Sequence, residues 1–143
     1  MITEQIETAE VVQFSGLSSR IEVSSEKSGG AFNVMLVSVE PGRGGPPHIS
    51  VDEDKYFHVI DGTFEFVAGE RRYRLARNDS LSVRRGDVHG FTNSGTECGC
   101  FLLVSTPAGH AEFFRDMASL DVPHDPQQVA EICQKHKQIL IEV

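Results

Sequence analysis

The stretch PGRGGPPHISVDEDKYFHVIDGTFEF, residues 41–66, decides how this chain reads. It opens on a Gly/Pro-rich approach, passes His48, and runs through the acids Asp52, Glu53 and Asp54. Lys55 then heads an apolar, strand-like segment over residues 56–60, which Asp61-Gly62 closes. Glycine adopts positive φ without steric cost, so Asp-Gly favours a tight turn. The pair is expected to join residues 56–60 and 63–67 as a β-hairpin.

Outward from this stretch, short strand-like runs recur at residues 11–14, 21–24, 31–39, 80–83, 88–92 and 100–106. Turn signals separate them, among them Gly29-Gly30, Ala68-Gly69-Glu70, Gly86-Asp87 and Asn93-Ser94-Gly95. Such a series marks an all-β sandwich or barrel. No long helical period interrupts it, which disfavours a parallel βαβ fold. Helices are expected only in the tail. Residues 109–120 bring Phe113, Phe114, Met117 and Ala118 to one side at helical spacing. Asp125-Pro126-Gln127-Gln128 reads as an N-cap, a first-turn proline and a Gln completing a capping box. Val129, Ile132 and Cys133 supply an apolar stripe with His136 one turn on. Both helices are expected outside the barrel or at a subunit contact.

The 143 residues suffice for one domain with a hydrophobic core, expected as a barrel over about residues 30–107 and a helical tail over residues 108–143. A net charge of −8 argues against a phosphate-binding surface, since nucleic-acid readers cluster Lys and Arg. No apolar run is long enough to span a bilayer, and MITEQIETAE lacks a basic head followed by an apolar stretch. Cys98, Cys100 and Cys133 form no disulfide or zinc framework, so a cytoplasmic protein is expected.

The residues resemble a known family. Gly42 is followed, after five intervening residues, by His48, then Ser50, Lys55 and Gly62 at the spacing of the first cupin motif. Residues 78–89 and Asn93 follow the second, with Gly86 and His89 in register. The tail Thr106-Pro107-Ala108-Gly109 leading to Glu112-Phe113-Phe114 is similar to small single-domain cupins of the quercetin-dioxygenase-like type. The resemblance implies a double-stranded β-helix, a jelly-roll barrel whose mouth holds the site. It also implies a homodimer, for which residues 11–14 and 139–141 are apolar candidates.

In metal-bearing members three histidines and a glutamate hold the ion. Carried over by position, His48 and His89 remain, while the other two positions are Ser50 and Lys55. A hydroxyl is a poor ligand for a divalent transition metal. An ammonium has no lone pair, and repulsion between unit charges about 4 Å apart is roughly 4 kcal/mol at an effective dielectric near 20. No metal cofactor is therefore expected; if one binds, its ligands would be His48, His89 and Asp54, the last turned inward by a β-bulge. Otherwise Asp52–Asp54 read as a solvated acidic loop, and His58, His110, His124 and His136 as structural or surface residues.

Strand alternation turns His48 with Ser50, Lys55 with Phe57, and His89 with Phe91 and Asn93 toward a common pocket. Lys55, His48, His89 and Ser50 are the catalytic candidates; Phe57, Phe91 and Asn93 are the substrate-binding candidates. The leading reading is a metal-independent isomerase, cyclase or lyase acting on an aromatic or polyketide-like carbonyl compound. In it Lys55 stabilises an enolate or phenolate, His48 or His89 serves as base, and Ser50 orients the substrate. The alternatives are a non-catalytic ligand-binding or sensory cupin, and a metal-dependent quercetinase-like dioxygenase.

Overall fold

The computed structural model describes residues 9–141. Ten of its strands follow one another along the first three quarters of the chain: β1 (Glu10–Phe14), β2 (Leu17–Val23), β3 (Asn33–Val39), β4 (Gly44–Ser50), β5 (Asp54–Asp61), β6 (Phe64–Ala68), β7 (Arg71–Leu75), β8 (Ser80–Val83), β9 (Val88–Asn93) and β10 (Gly99–Thr106). A short helical turn, α1 (Ser25–Ser28), separates β2 from β3; it was not foreseen and is capped by the Ser24 side chain. The tail adds α2 (His110–Ala118), α3 (Pro126–Lys135) and a last strand, β11 (Gln138–Leu140).

The strands form two antiparallel sheets, one ordered β1-β2-β3-β10-β5-β8 and the other β11-β4-β9-β6-β7. This is the expected all-β jelly roll. Between the sheets, alternate residues are buried: Met35, Val37 and Val39 on β3, Phe57 and Val59 on β5, Phe64 and Phe66 on β6, Phe101 and Leu103 on β10. Four phenylalanine rings meet Phe101 edge to face, Phe57, Phe64, Phe66 and Phe91; Phe91 lies 4.9 Å and Phe64 5.3 Å from it, centroid to centroid. Such pairs add about 0.5–1.5 kcal/mol each beyond simple burial. Lys55 belongs to the same inward row as Phe57 and Val59, and β5 is bonded on both sides, by β10 and β8. Its side chain is held inside by strand periodicity.

One local expectation is corrected. Asp61-Gly62 does not close a hairpin: β5 and β6 lie in different sheets, and the dipeptide carries the chain across. Gly62 has φ of 89°, and a Cβ there would stand 2.8 Å from the Cα of Gly99, so both conformation and close approach require glycine. The Gly/Pro-rich approach is itself strand. β4 pairs with β9 through Gly44↔Thr92 and His48↔His89, with an irregularity between Gly45 and His48 that accommodates Pro46-Pro47.

The tail is tied to the barrel at the start of α2 and at its last strand. Buried Asn33 on β3 accepts hydrogen bonds from Gly109 N and Ala111 N at 2.9 and 3.1 Å, satisfying the start of α2. Asp125 caps α3 through Gln127 N at 2.9 Å. The side chain of Gln128, the expected second arm of a capping box, makes no hydrogen bond among the described residues. Finally β11 adds itself beside β4, with Gln138 opposite Ser50 and Leu140 opposite His48. Residues of both helices, Phe113 and Phe114 of α2 and Val129 and Cys133 of α3, face the cavity at the barrel's mouth.

Candidate functional site

The mouth of the barrel holds a cavity of about 260 Å³. Its floor is His48 of β4, Lys55 and Phe57 of β5, and His89 and Phe91 of β9; its cover includes Phe113 and Phe114 of α2 and Val129 and Cys133 of α3. The lining is mostly apolar with a few convergent polar groups, the usual character of a small-molecule site.

Those polar groups form a connected set. The Lys55 ammonium donates to Ser50 Oγ at 2.6 Å and lies 3.3 Å from His89 Nε2. Ser50 Oγ donates to Gln138 Oε1 at 2.6 Å, and Gln138 Nε2 donates to Glu53 Oε1 at 2.9 Å. The same carboxylate oxygen lies 3.4 Å from His110 Nδ1. Lys55, Ser50, Gln138, Glu53 and His110 are all buried. A positive and a negative group thus stand at either end of a two-residue polar bridge.

Backbone contacts settle the imidazole tautomers. His48 Nδ1 lies 2.9 Å from the Pro46 carbonyl and His89 Nδ1 lies 3.1 Å from the Asp87 carbonyl. A carbonyl only accepts, so each Nδ1 carries the proton and each Nε2 a lone pair. The two rings sit 4.2 Å apart, centroid to centroid. Burial, reinforced by the nearby Lys55 charge, pushes His48 down to about 3 and His89 down to about 2. Both are neutral acceptors at ordinary pH and weak bases. Burial likewise pushes Lys55 down to about 8, against the pull of Glu53. Burial raises the Glu53 carboxyl, but contacts with His110, Lys55 and Gln138 outweigh it and hold the group well below the usual carboxylate range.

Lys55, His48, His89, Phe57 and Phe91 are brought together around the cavity. Ser50 sits just behind Lys55 and meets the cavity through it. Two other candidates lie elsewhere. Asn93 is wholly buried away from the cavity, donating to Val39 O and Glu97 O at 2.9 Å and accepting from Gly95 N. It binds together the loops at the strand ends instead of a substrate. Asp54 is not turned inward by a bulge. It pairs in regular register with Thr106, and its exposed carboxylate receives Arg85 through the backbone N–H at 2.8 Å and the guanidinium at 2.9 Å.

Three residues of the set were not foreseen in these positions. Glu53 belongs to the supposed solvated loop, yet its neighbours Asp52 and Asp54 face outward to Lys137 and Arg85 while Glu53 turns in. The available signal was parity, since Glu53 and Lys55 are two apart. His110 was read as a surface or structural residue and is a buried member of the cavity wall. Gln138 carried no local signal, because its partners are 88 and 85 residues away.

The resemblance to metal-bearing barrels can be tested on these contacts. The ammonium of Lys55 stands between Ser50 and His89 and takes up the lone pair that His89 would give a cation. Among the described residues no group of three His, Cys, Asp or Glu side chains is placed to hold a metal ion. The donor set does not fit a divalent metal.

The Cupin domain family matches residues 35–105, about half of the chain. No curated protein sequence matches. Solved structures with the same fold include KdgF from Halomonas sp., 17% identical with a TM-score of 0.64, covering 72% of this chain and 90% of that one. The polyketide cyclase RemF from Streptomyces resistomycificus is 18% identical with a TM-score of 0.60, covering 73% and 80%. A cupin sugar phosphate isomerase from Silicibacter pomeroyi is 26% identical with a TM-score of 0.57, covering 64% and 59%. With the motif spacing, the two-sheet jelly roll and the histidine-bearing pocket at its mouth, the chain belongs to the cupin superfamily.

Proposed function

We propose that this cupin is a metal-independent enzyme acting on a small aromatic or polyketide-like carbonyl compound, by isomerase, cyclase or lyase chemistry. The observation that carries the reading is the placement of Lys55 Nζ where the resemblance would put a metal ligand, between Ser50 Oγ and His89 Nε2, at the floor of an apolar cavity. Below pH 8 the ammonium form prevails. In a site poor in water it stabilises negative charge developing on a carbonyl oxygen, the service a metal would otherwise give. Its minority neutral form is the stronger base of the site, since both imidazoles hold protons only in strong acid. The base role assigned from sequence to His48 or His89 therefore moves to Lys55. Each Nε2 is an acceptor: that of His89 orients Lys55, and that of His48 is left to orient the ligand.

An aromatic ligand suits the phenyl rings of Phe57, Phe91, Phe113 and Phe114 around the cavity. A cavity of about 150 Å³ holds one benzene ring, so this larger one admits a ring with substituents. RemF supports the class of chemistry only in that a polyketide cyclase occupies the same fold. A cytoplasmic homodimer completes the reading: the thiols are free, and edge strand β1 leaves Val11 exposed for a second copy.

The test is turnover of a panel of aromatic β-dicarbonyl and polyketide-like compounds, with and without chelator. Turnover that survives chelation and disappears in Lys55→Met supports the reading. Tight, saturable binding with every compound recovered intact would replace it with a ligand-binding cupin. Turnover that chelation abolishes would point to a dioxygenase-type activity instead.

A further inference from the structure

From the same contacts we infer that Lys55 is a covalent site, its amine condensing with an aldehyde or ketone in the cavity to form a Schiff base. This rests on the carbonyl reading above and names the step by which the site would engage its ligand. Hydrogen-bond bookkeeping around Nζ is the basis. Ser50 Oγ gives its proton to Gln138 Oε1, so toward Lys55 it can only accept. His89 has its proton on Nδ1, bonded to the Asp87 carbonyl, so its Nε2 can only accept. A neutral amine has two N–H bonds and one lone pair. Both N–H bonds are claimed, one by Ser50 and one by His89, and the lone pair is the group left over. Lys55 lines the cavity from its floor, which is the open side for that lone pair.

The chemistry balances without a further reagent. The nitrogen lone pair attacks the carbonyl carbon, forming a C–N bond as the C=O π bond opens to a carbinolamine. The proton leaving nitrogen passes to the oxygen that carries the new negative charge, the stronger base, while His89 Nε2 orients the N–H bond. The two hydrogens lost from the amine depart with the carbonyl oxygen as one water molecule, leaving C=N. An apolar cavity favours that loss of water, and the imine, once protonated, is an electron sink for the bond changes of isomerase and lyase reactions. Burial near neutral pH further helps the amine to be available.

The chain has four lysines, Lys27, Lys55, Lys135 and Lys137, which makes the experiment clean. The full-length protein is incubated at pH 7.5 with limiting benzaldehyde and sodium cyanoborohydride, and the benzylated lysines are counted by peptide mass spectrometry. The expected result is benzylation of Lys55 at least about tenfold above each of the other three, as for an amine desolvated and lowered in pKa. In parallel, thermal shifts are recorded with benzaldehyde and with benzyl alcohol, which cannot form an imine, for the natural protein and Lys55→Met. Benzylation of Lys55 no faster than of Lys27, Lys135 and Lys137 overturns the covalent step. If both ligands still raise the melting temperature, the pocket reading stands and only the imine falls. If neither labelling nor thermal shift occurs, both fall together.

Discussion

Lys55 Nζ lies 3.3 Å from Nε2 of His89, so an ammonium occupies the lone pair through which that histidine would bind a cation. The contact couples the two groups electrostatically as well as sterically. Burial is the larger cause of the low basicity of His89 and His48, and the Lys55 charge is the second.

Removing that charge should therefore move both imidazoles. In Lys55→Met, NMR titration of the ring protons is expected to show His48 and His89 pKa values rising from about 3 and about 2 while staying below 6.5, because burial persists. Unchanged values would mean that the lysine is not charged where the structure places it.

Acid should unfold the protein early. Below pH 6.5 an unfolded chain takes up a proton on each of these two histidines that the folded chain refuses. Stability consequently rises with pH across the window from about 3 to 6.5 and is lost as acid is added. One imidazole is worth about 1.4 kcal/mol per pH unit. Allowing for the partial exposure of His48, urea unfolding at pH 5 is expected to show roughly 3 kcal/mol less stability than at pH 7.5. Glu53 adds to the loss only below its unperturbed value of 4.5. A His48→Gln/His89→Gln variant should show a flatter profile between pH 5 and 7.5, the remaining slope coming from His110, which burial also lowers.

A metal site should be recoverable by two changes. Ser50→His with Lys55→Glu supplies a third imidazole and a carboxylate at the motif positions beside His48 and His89, a donor set suited to a divalent transition metal. Elemental analysis after dialysis against manganese or nickel is expected to give near-stoichiometric metal in the double variant and only a small fraction in the natural protein. Equal loading of the two would show that Lys55 does not exclude the cation.

The cover of the cavity should depend on Gln138. Gln138→Leu leaves the Ser50 hydroxyl and the Glu53 carboxylate short of a buried partner each. Such losses cost about 1–3 kcal/mol apiece, so a total decrease of roughly 2–6 kcal/mol is expected in chemical denaturation. Amide exchange should accelerate in β11 and α3 well before it does in β3 or β10. Uniform acceleration throughout the barrel would show that the tail is not a separately opening unit.

Much of the barrel was legible because it is written in local pattern. Period-two alternation turned Phe57 and Phe91 inward and brought His48 and His89 toward a common pocket, where they pair across β4 and β9. The same alternation turned Lys55 inward. The turn at Asp61-Gly62 was also visible, but its destination was not: a two-residue turn that returns a strand beside itself and one that crosses to a facing sheet use the same residues. Asn93 shows a similar limit. Strand parity pointed it inward correctly, yet the loop carbonyls of Val39 and Glu97, not the cavity, receive its amide.

The chain's own letters were therefore enough for an all-β barrel, which the family resemblance made a jelly roll, for the inward row on β5 and for the substitution of Lys55 and Ser50 into a motif that elsewhere holds metal. Tertiary structure alone decided what surrounds that lysine. It brought Gln138 from the last strand against Ser50, placed the Glu53 carboxylate behind both, and laid α2 and α3 over the mouth as a cover. The reason is range: side-chain alternation is a property of neighbours along one strand, whereas a polar bridge and a closed cavity are made by residues whose separation in the chain carries no local trace.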